Sequence, residues 1–338
     1  MLLFFFDFII YNGCSDSAVN EAKNRYNGIT IKPERKDRIG DFMKHRGFYL
    51  EKVFFILTCG EVFLPFEESI EELQKEGVSV EVLLAEEVLA QEETMGQGET
   101  VWMETNREKH QVLYVTDHSD VAGKLLEAGK AVLGYQHAGN ITEGFAGVQY
   151  ILEAPEGTPA EYFERVFRRY AGLPWSILET ERCYVRESCE EDVEAFYTIY
   201  KAPEVTRYTE ALFEHAISER AYIREYIEKI YAYFEFGVWT VILKENEEII
   251  GRAGISVREG FDIPELGYVF GLPWQGKGLA KEVCEGILKY ARDELEITQL
   301  QVLIREENEA SVRLAERLGF EKREELVIEG KLHIRMIL

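Results

Sequence analysis

The sequence predicts two α/β domains in one chain. Three observations lead there. The chain has 338 residues, and at ~100–200 residues per domain that is enough for two. Apolar strand-like runs alternate with helix-patterned stretches in both halves. A helix stop falls near the middle. The pattern over residues 159–170 ends at Ala171-Gly172, with Arg168 and Arg169 in its last turn and Pro174 just beyond. The boundary therefore lies near Trp175 and gives domains of 1–174 and 177–338.

The second half reads in order as follows. A strand over 183–186 leads into a helix over 190–200, with Val193, Phe196, Tyr197 and Tyr200 on one face. A second helix, 218–234, places Ile223, Tyr226, Ile227, Ile230 and Tyr231 at helical spacing. Strands follow over 238–243, 249–257 and 265–270, and the polar turn 246–248 makes a hairpin of the first two. A glycine-rich turn, 275–280, opens a helix over 279–295 with a Leu279, Val283, Ile287, Ala291 stripe. A strand over 299–304, a helix over 308–318 stopped by Gly319, and strands over 325–328 and 332–337 complete the chain.

The first half is plainer. Residues 2–10, 54–57, 78–84, 112–115 and 131–135 read as buried strands, and 119–128 and 159–170 as helices. Such alternation predicts a parallel sheet in layers. Residues 11–50 and 90–108 are polar and carry no clear period.

Charge excludes some functions. Lys and Arg total 38 against 62 Asp and Glu, a formal net charge of −24. A nucleic-acid binder needs a basic footprint, and an anionic membrane repels such a chain. Residues 51–100 are the extreme, with 2 basic and 13 acidic side chains, and read as a solvated helix face. The five cysteines form no CxxC pair and no metal spacing. They read as reduced thiols of a cytoplasmic protein, with no metal expected. The apolar start is short and broken by Asp7, so a buried strand is expected there rather than a leader or a span.

The loop Gln275-Gly276-Lys277-Gly278-Leu279-Ala280 lies between an apolar strand and an amphipathic helix. Glycines let backbone approach a ligand closely, and a helix start offers unpaired N–H groups. Together these suit a pyrophosphate. The spacing is neither a Walker loop nor the dinucleotide fingerprint.

Gln275, Gly278 and Ala280, in the order Q-x-x-G-x-A before a helix, resemble the acyl-CoA loop of GNAT-type N-acetyltransferases. The likeness continues outside the loop. Residues 179–200 are similar to the family's opening strand and helix, 264–283 to the branch that acetylates ribosomal-protein N-termini, and 304–320 to that branch's closing helix. The resemblance implies a mixed, mostly antiparallel sheet with flanking helices over residues 177–338. It implies acetyl-CoA as cosubstrate and transfer to a primary amine, a small molecule or a protein N-terminus, in a ternary complex. It also implies roles for matching positions. Backbone of Gln275 to Ala280 would hold the pyrophosphate, with Lys277 at the rim. Tyr268, Val269 and Phe270 would pair with the pantetheine arm, and the Phe270 N–H would polarise the thioester oxygen. Asn308 would bond the CoA arm, cap the last helix, or both. Glu265 would be the general base. Many relatives carry a Tyr seven residues after that Asn; here Ala315 stands there. Ser311 would donate to the leaving sulfur or simply bond CoA. Tyr208 and Trp239 would line the acceptor cleft, and Glu187, Glu204 and Glu210 would favour a cationic amine if they line it.

Three fragments of the first half resemble a haloacid-dehalogenase-like fold. Asp7 ends the first strand, Thr58 follows the second, and Asp117 and Asp120 follow a third. The resemblance implies a Mg²⁺ phosphoryl-transfer site, but the family's second acid is replaced by Ile9. A non-catalytic domain is the expectation. Two readings compete with acetyl transfer: an acyl-CoA sensor without turnover, and a Mg²⁺-dependent phosphatase in the first domain.

Overall fold

The computed structural model describes residues 49–95, 111–209 and 211–338. These divide into two compact units, with Pro174 opening the second. The predicted strand at 2–10, with Asp7 and Ile9, and Glu210 lie outside the described residues.

The first unit is a five-stranded parallel sheet in the order β2-β1-β3-β4-β5. Its strands are β1 (Lys52–Leu57), β2 (Ser79–Leu84), β3 (Val112–Thr116), β4 (Ala131–Tyr135) and β5 (Tyr150–Leu152). Helices α1 (Glu67–Lys75), α2 (Ala85–Met95), α3 (Ser119–Glu127) and α4 (Ala160–Tyr170) connect or follow them. β1 is apolar at consecutive positions because both of its faces are covered. Phe54 and Ile56 join Val88, Val121 and Leu125 on one side. Phe55 meets Phe66 and Phe163 on the other. β2 departs from expectation. Among the described residues it is an edge strand with Val82 and Leu84 exposed, because none of the described strands pairs beyond it.

The second unit is an eight-stranded sheet in the order β12-β13-β11-β10-β9-β8-β7-β6. Its strands are β6 (Ser176–Glu179), β7 (Cys183–Arg186), β8 (Val238–Leu243), β9 (Glu248–Ser256), β10 (Glu265–Phe270), β11 (Gln301–Arg305), β12 (Glu321–Ile328) and β13 (Lys331–Ile337). Every pairing is antiparallel except β10 with β11. One face carries α5 (Val193–Tyr200), α6 (Pro203–Thr206) and α7 (Ala216–Tyr226). The Arg252 guanidinium of β9 lies over Phe196 there, and Val269 of β10 packs with Ile199 and Val205. The other face carries α8 (Leu279–Asp293) and α9 (Glu309–Arg317). Its contacts include Trp239 of β8 edge-on to Tyr290 of α8.

Helix α7 continues through a π-helical turn, Ile227–Tyr231. That turn has a purpose in packing. The Val238 N–H donates to the Tyr226 hydroxyl at 2.7 Å, and the Tyr231 hydroxyl donates to the Val238 carbonyl at 2.6 Å. Two buried tyrosines thereby fix where β8 begins.

Candidate active site

Parallel neighbours β10 and β11 share a single rung, Glu265 opposite Gln301. Gln301 N–H donates to the Pro264 carbonyl at 2.9 Å, and its side chain donates to the Ile263 carbonyl at 2.6 Å. Beyond that rung each strand pairs only with its outer neighbour, β9 or β13. The two facing edges are left with backbone groups that need partners. Gly271 N–H bonds the Ile250 carbonyl on the β9 side. By the alternation of an antiparallel strand, the preceding Phe270 N–H faces the gap.

Glu265 stands at the closed end of this gap and is 5% exposed. Burial pushes its carboxyl from the usual 4.5 up to about 7, against the pull of the nearby Arg258 guanidinium. The Arg258 Nη1 to Glu265 Oε2 distance is 3.4 Å. A carboxyl that titrates near neutrality is suited to taking a proton there.

The glycine loop follows the open end. The Gln275 side chain donates to the Phe270 carbonyl at 2.8 Å and ties loop to strand. Gly276 and Gly278 have φ of 71° and 79°, where a Cβ is strained. Gly278 is the residue before α8, so the helix starts directly at the loop. Gln275 to Gly278 are exposed, Ala280 is half-buried, and Leu279 is buried and anchors the helix.

Arg182 is a residue that sequence pattern did not single out. Its Nη1 donates to the Lys277 carbonyl at 3.0 Å, and its Nε donates to Glu282 at 2.6 Å. Burial would raise the Glu282 carboxyl, but hydrogen bonds from Thr180 and Arg182 hold it below the usual range. The contact joins residues 95 apart in sequence, which local periodicity does not reach.

The remaining predicted positions fall in two groups. Tyr268, Asn308, Ser311 and Tyr208 come together beside the gap. The Tyr268 hydroxyl donates to the Ser311 carbonyl at 3.3 Å, and the Asn308 side chain accepts from the Ser311 N–H at 3.3 Å. Asn308 is thus the cap of α9. The Tyr208 hydroxyl donates to the Glu307 carbonyl at 3.0 Å. Trp239 belongs elsewhere. It is 0% exposed and packs on Tyr290, so it is core and lines no cleft. Glu187 is also buried and accepts from the Trp175 N–H at 3.2 Å, while Glu204 is exposed. An acidic acceptor lining is therefore not what these residues build.

In the first unit, Thr58 and Asp117 do meet at the ends of β1 and β3. Thr58 donates to both Asp117 oxygens, from its N–H at 2.8 Å and its hydroxyl at 2.5 Å. His137 Nε2 lies 3.1 Å from Asp117 Oδ2. Asp117 is 0% exposed and its oxygens are already taken, whereas Asp120 is exposed. No group of three metal-ligating side chains occurs among the described residues. The implied Mg²⁺ site also needs Asp7, which lies outside the described residues.

A family model described as an acetyltransferase (GNAT) domain matches residues 182–321. The C-terminal half is a GNAT acetyltransferase domain. The uncharacterized N-acetyltransferase p20 of Bacillus licheniformis is 27% identical over 146 residues, which is 43% of this chain and 82% of that protein. The [ribosomal protein uS5]-alanine N-acetyltransferase of Escherichia coli is 36% identical over 104 residues, 29% of this chain and 52% of that protein. A solved GNAT acetyltransferase from Bacillus anthracis is 20% identical with a TM-score of 0.42, covering 48% of this chain and 97% of its own. The family match and the two sequence relatives support an N-acetyltransferase. GNAT acetyltransferases use acetyl-CoA. The family match leaves residues before 182 outside it, and the haloacid-dehalogenase-like resemblance gains no support from these comparisons. No helix among the described residues is long and apolar enough to cross a membrane.

Proposed function

We propose that this chain transfers the acetyl group of acetyl-CoA to a primary amine by direct attack in a ternary complex, as a cytoplasmic enzyme. The observation that carries the reading is the gap between β10 and β11, with buried Glu265 at its closed end and the Gly276–Gly278 loop past its open end. Backbone of Gln275 to Ala280 holds the pyrophosphate, with Lys277 at its rim. The facing edge of Tyr268, Val269 and Phe270 pairs with the pantetheine arm.

Glu265 accepts the proton of the acceptor ammonium, directly or through water. The neutral amine then attacks the thioester carbonyl, whose oxygen gathers charge against the Phe270 N–H. The C–S bond breaks and the CoA thiolate leaves. Asn308 bonds the CoA arm, and Ser311 donates to the leaving sulfur or simply bonds CoA. Tyr208 borders the acceptor side. The acceptor is a small amine or a protein N-terminus. The partner is neither nucleic acid nor membrane.

Residues 1–174 form, in this proposal, a non-catalytic domain on a haloacid-dehalogenase-like scaffold. Its parallel strand order and the Thr58–Asp117 meeting at the strand ends support that reading. Calorimetry with acetyl-CoA, followed by thiol release with an amine panel, tests the enzyme reading. Absence of acetyl-CoA binding would sink it.

A further inference from the structure

The register shows which side chains share the sheet face of Glu265. Gln301 pairs with Glu265 across the single rung, and Arg305 lies four residues further along the same strand. Alternation puts Gln301 and Arg305 on one face. Across β13, Arg335 and His333 continue that face opposite Leu303 and Arg305. Arg258, just past β9, reaches Glu265 from the same side. This is the face that α5 and α6 cover, where Val269 meets Ile199 and Val205. The opposite face at the gap is filled by the Tyr268–Ser311 contact and α8. Glu265 therefore looks onto a surface of its own.

That surface is cationic. Glu265 is answered by Arg258, and Glu324 by Arg335 at 2.6 Å. Arg305 has no carboxylate partner among the described residues. Its Nη1 donates to the Arg207 carbonyl at 2.8 Å, and its Nε is a buried donor without a hydrogen bond. Arg207 itself lies over the Tyr208 ring at 5.2 Å. The register partner of Arg305, His333, is 2% exposed. Its Nδ1 lies 2.9 Å from the Lys331 carbonyl, which accepts, and its Nε2 is buried without a partner. Two buried polar atoms at facing positions thus lack partners, and such atoms call for one.

We propose that the acceptor is an amine that also carries an anionic group, a carboxylate or a phosphate, and that Arg305 receives it. The inference rests on Glu265 being the base of an acetyl transfer. An anionic oxygen supplies the acceptor that Arg305 Nε lacks and answers a guanidinium that no acid among the described residues answers. A polyamine does the reverse, since its second ammonium meets Arg258 and Arg305. Four rises of ~3.3 Å separate Gln301 from Arg305 along the strand. The anionic group therefore sits several bonds from the amine.

The test uses the full chain, acetyl-CoA and matched peptide amines with Asp or Asn, and Glu or Gln, at the second position, together with O-phosphoethanolamine, ethanolamine and spermidine. Thiol release is expected to favour each acidic member over its neutral counterpart by at least about tenfold in kcat/KM. Arg305→Gln should abolish that preference by raising KM, while Arg305→Lys should retain part of it. Thermal stabilisation by acetyl-CoA reports that each variant is folded. Equal rates for acidic and neutral members, a preference for spermidine, or no release with any anionic amine overturns the inference. Each of those results leaves acetyl-CoA binding standing. A chain that does not bind acetyl-CoA at all overturns the functional reading instead, and this inference with it.

Discussion

Glu265 and Gln301 face each other at the one rung that joins β10 to β11. The rung places a carboxyl at the apex of two separating strands, buried and titrating at about 7. The sign for activity follows. Below about 7 the carboxyl is protonated and cannot accept, so kcat/KM should rise with pH and level off above about 7. Glu265→Gln should lower kcat by roughly 10²–10⁴-fold and flatten that rise, with acetyl-CoA affinity kept. A rate that is unchanged in the variant would remove Glu265 from the mechanism.

The same raised value has a stability consequence. The neutral carboxyl contributes to the fold fully below the unfolded value of 4.5, and that contribution fades as the pH rises through about 7. Glu265→Gln should therefore gain in Tm relative to the parent between about pH 5 and pH 8. Melting curves at the two values check it.

Gly278 opens α8 at φ 79°. Alanine there should cost about 1–2 kcal/mol of backbone strain and weaken acetyl-CoA binding by distorting the loop. Arg182→Ala should weaken the same binding without strain, by releasing the Lys277 carbonyl and Glu282. Calorimetry on both variants checks this. Unchanged affinity in Arg182→Ala would show that the brace is structural only.

Asn308→Ala removes the cap of α9, and about 1 kcal/mol of stability should go with it. If Asn308 also bonds the CoA arm, Asn308→Ser restores Tm but not acetyl-CoA affinity. Recovery of both would leave the residue a cap alone.

In the first unit, Asp117→Ala strands Thr58 and His137 and should cost about 1–3 kcal/mol. Mg²⁺ should produce no thermal shift in the parent chain, because the Asp117 oxygens are already bonded. A Mg²⁺-dependent shift lost in Asp117→Asn would revive the metal site.

Much of the second unit was legible because its signals are local. The Asn246–Glu248 turn between two apolar runs and the glycine loop before the Leu279 stripe each lie within one short window. The 265–270 strand was read to the residue. What failed was depth and distance. An aromatic in a strand does not say which layer covers it, so Trp239 read as cleft and is core. The run 78–84 reads as buried because it is apolar, yet among the described residues β2 is an exposed edge. Arg182 and Arg305 matter through partners 95 and 98 residues away. The π-helical turn at Ile227–Tyr231 is set by two hydroxyls reaching β8, which no helical period encodes.

Among the described residues, the sheet of the second unit starts at Ser176, six residues before the family match begins. There Trp175 and Glu187 clasp each other. The Glu187 N–H donates to the Trp175 carbonyl at 2.8 Å, and the Trp175 N–H to the Glu187 carboxylate at 3.2 Å. A fragment cut at the family boundary would discard β6 and bare the hydrogen-bonding edge of β7. Bare edges recruit other chains. Keeping β6 on β7 in an excised fragment therefore requires a start no later than Pro174, and not at Arg182, where the family match begins.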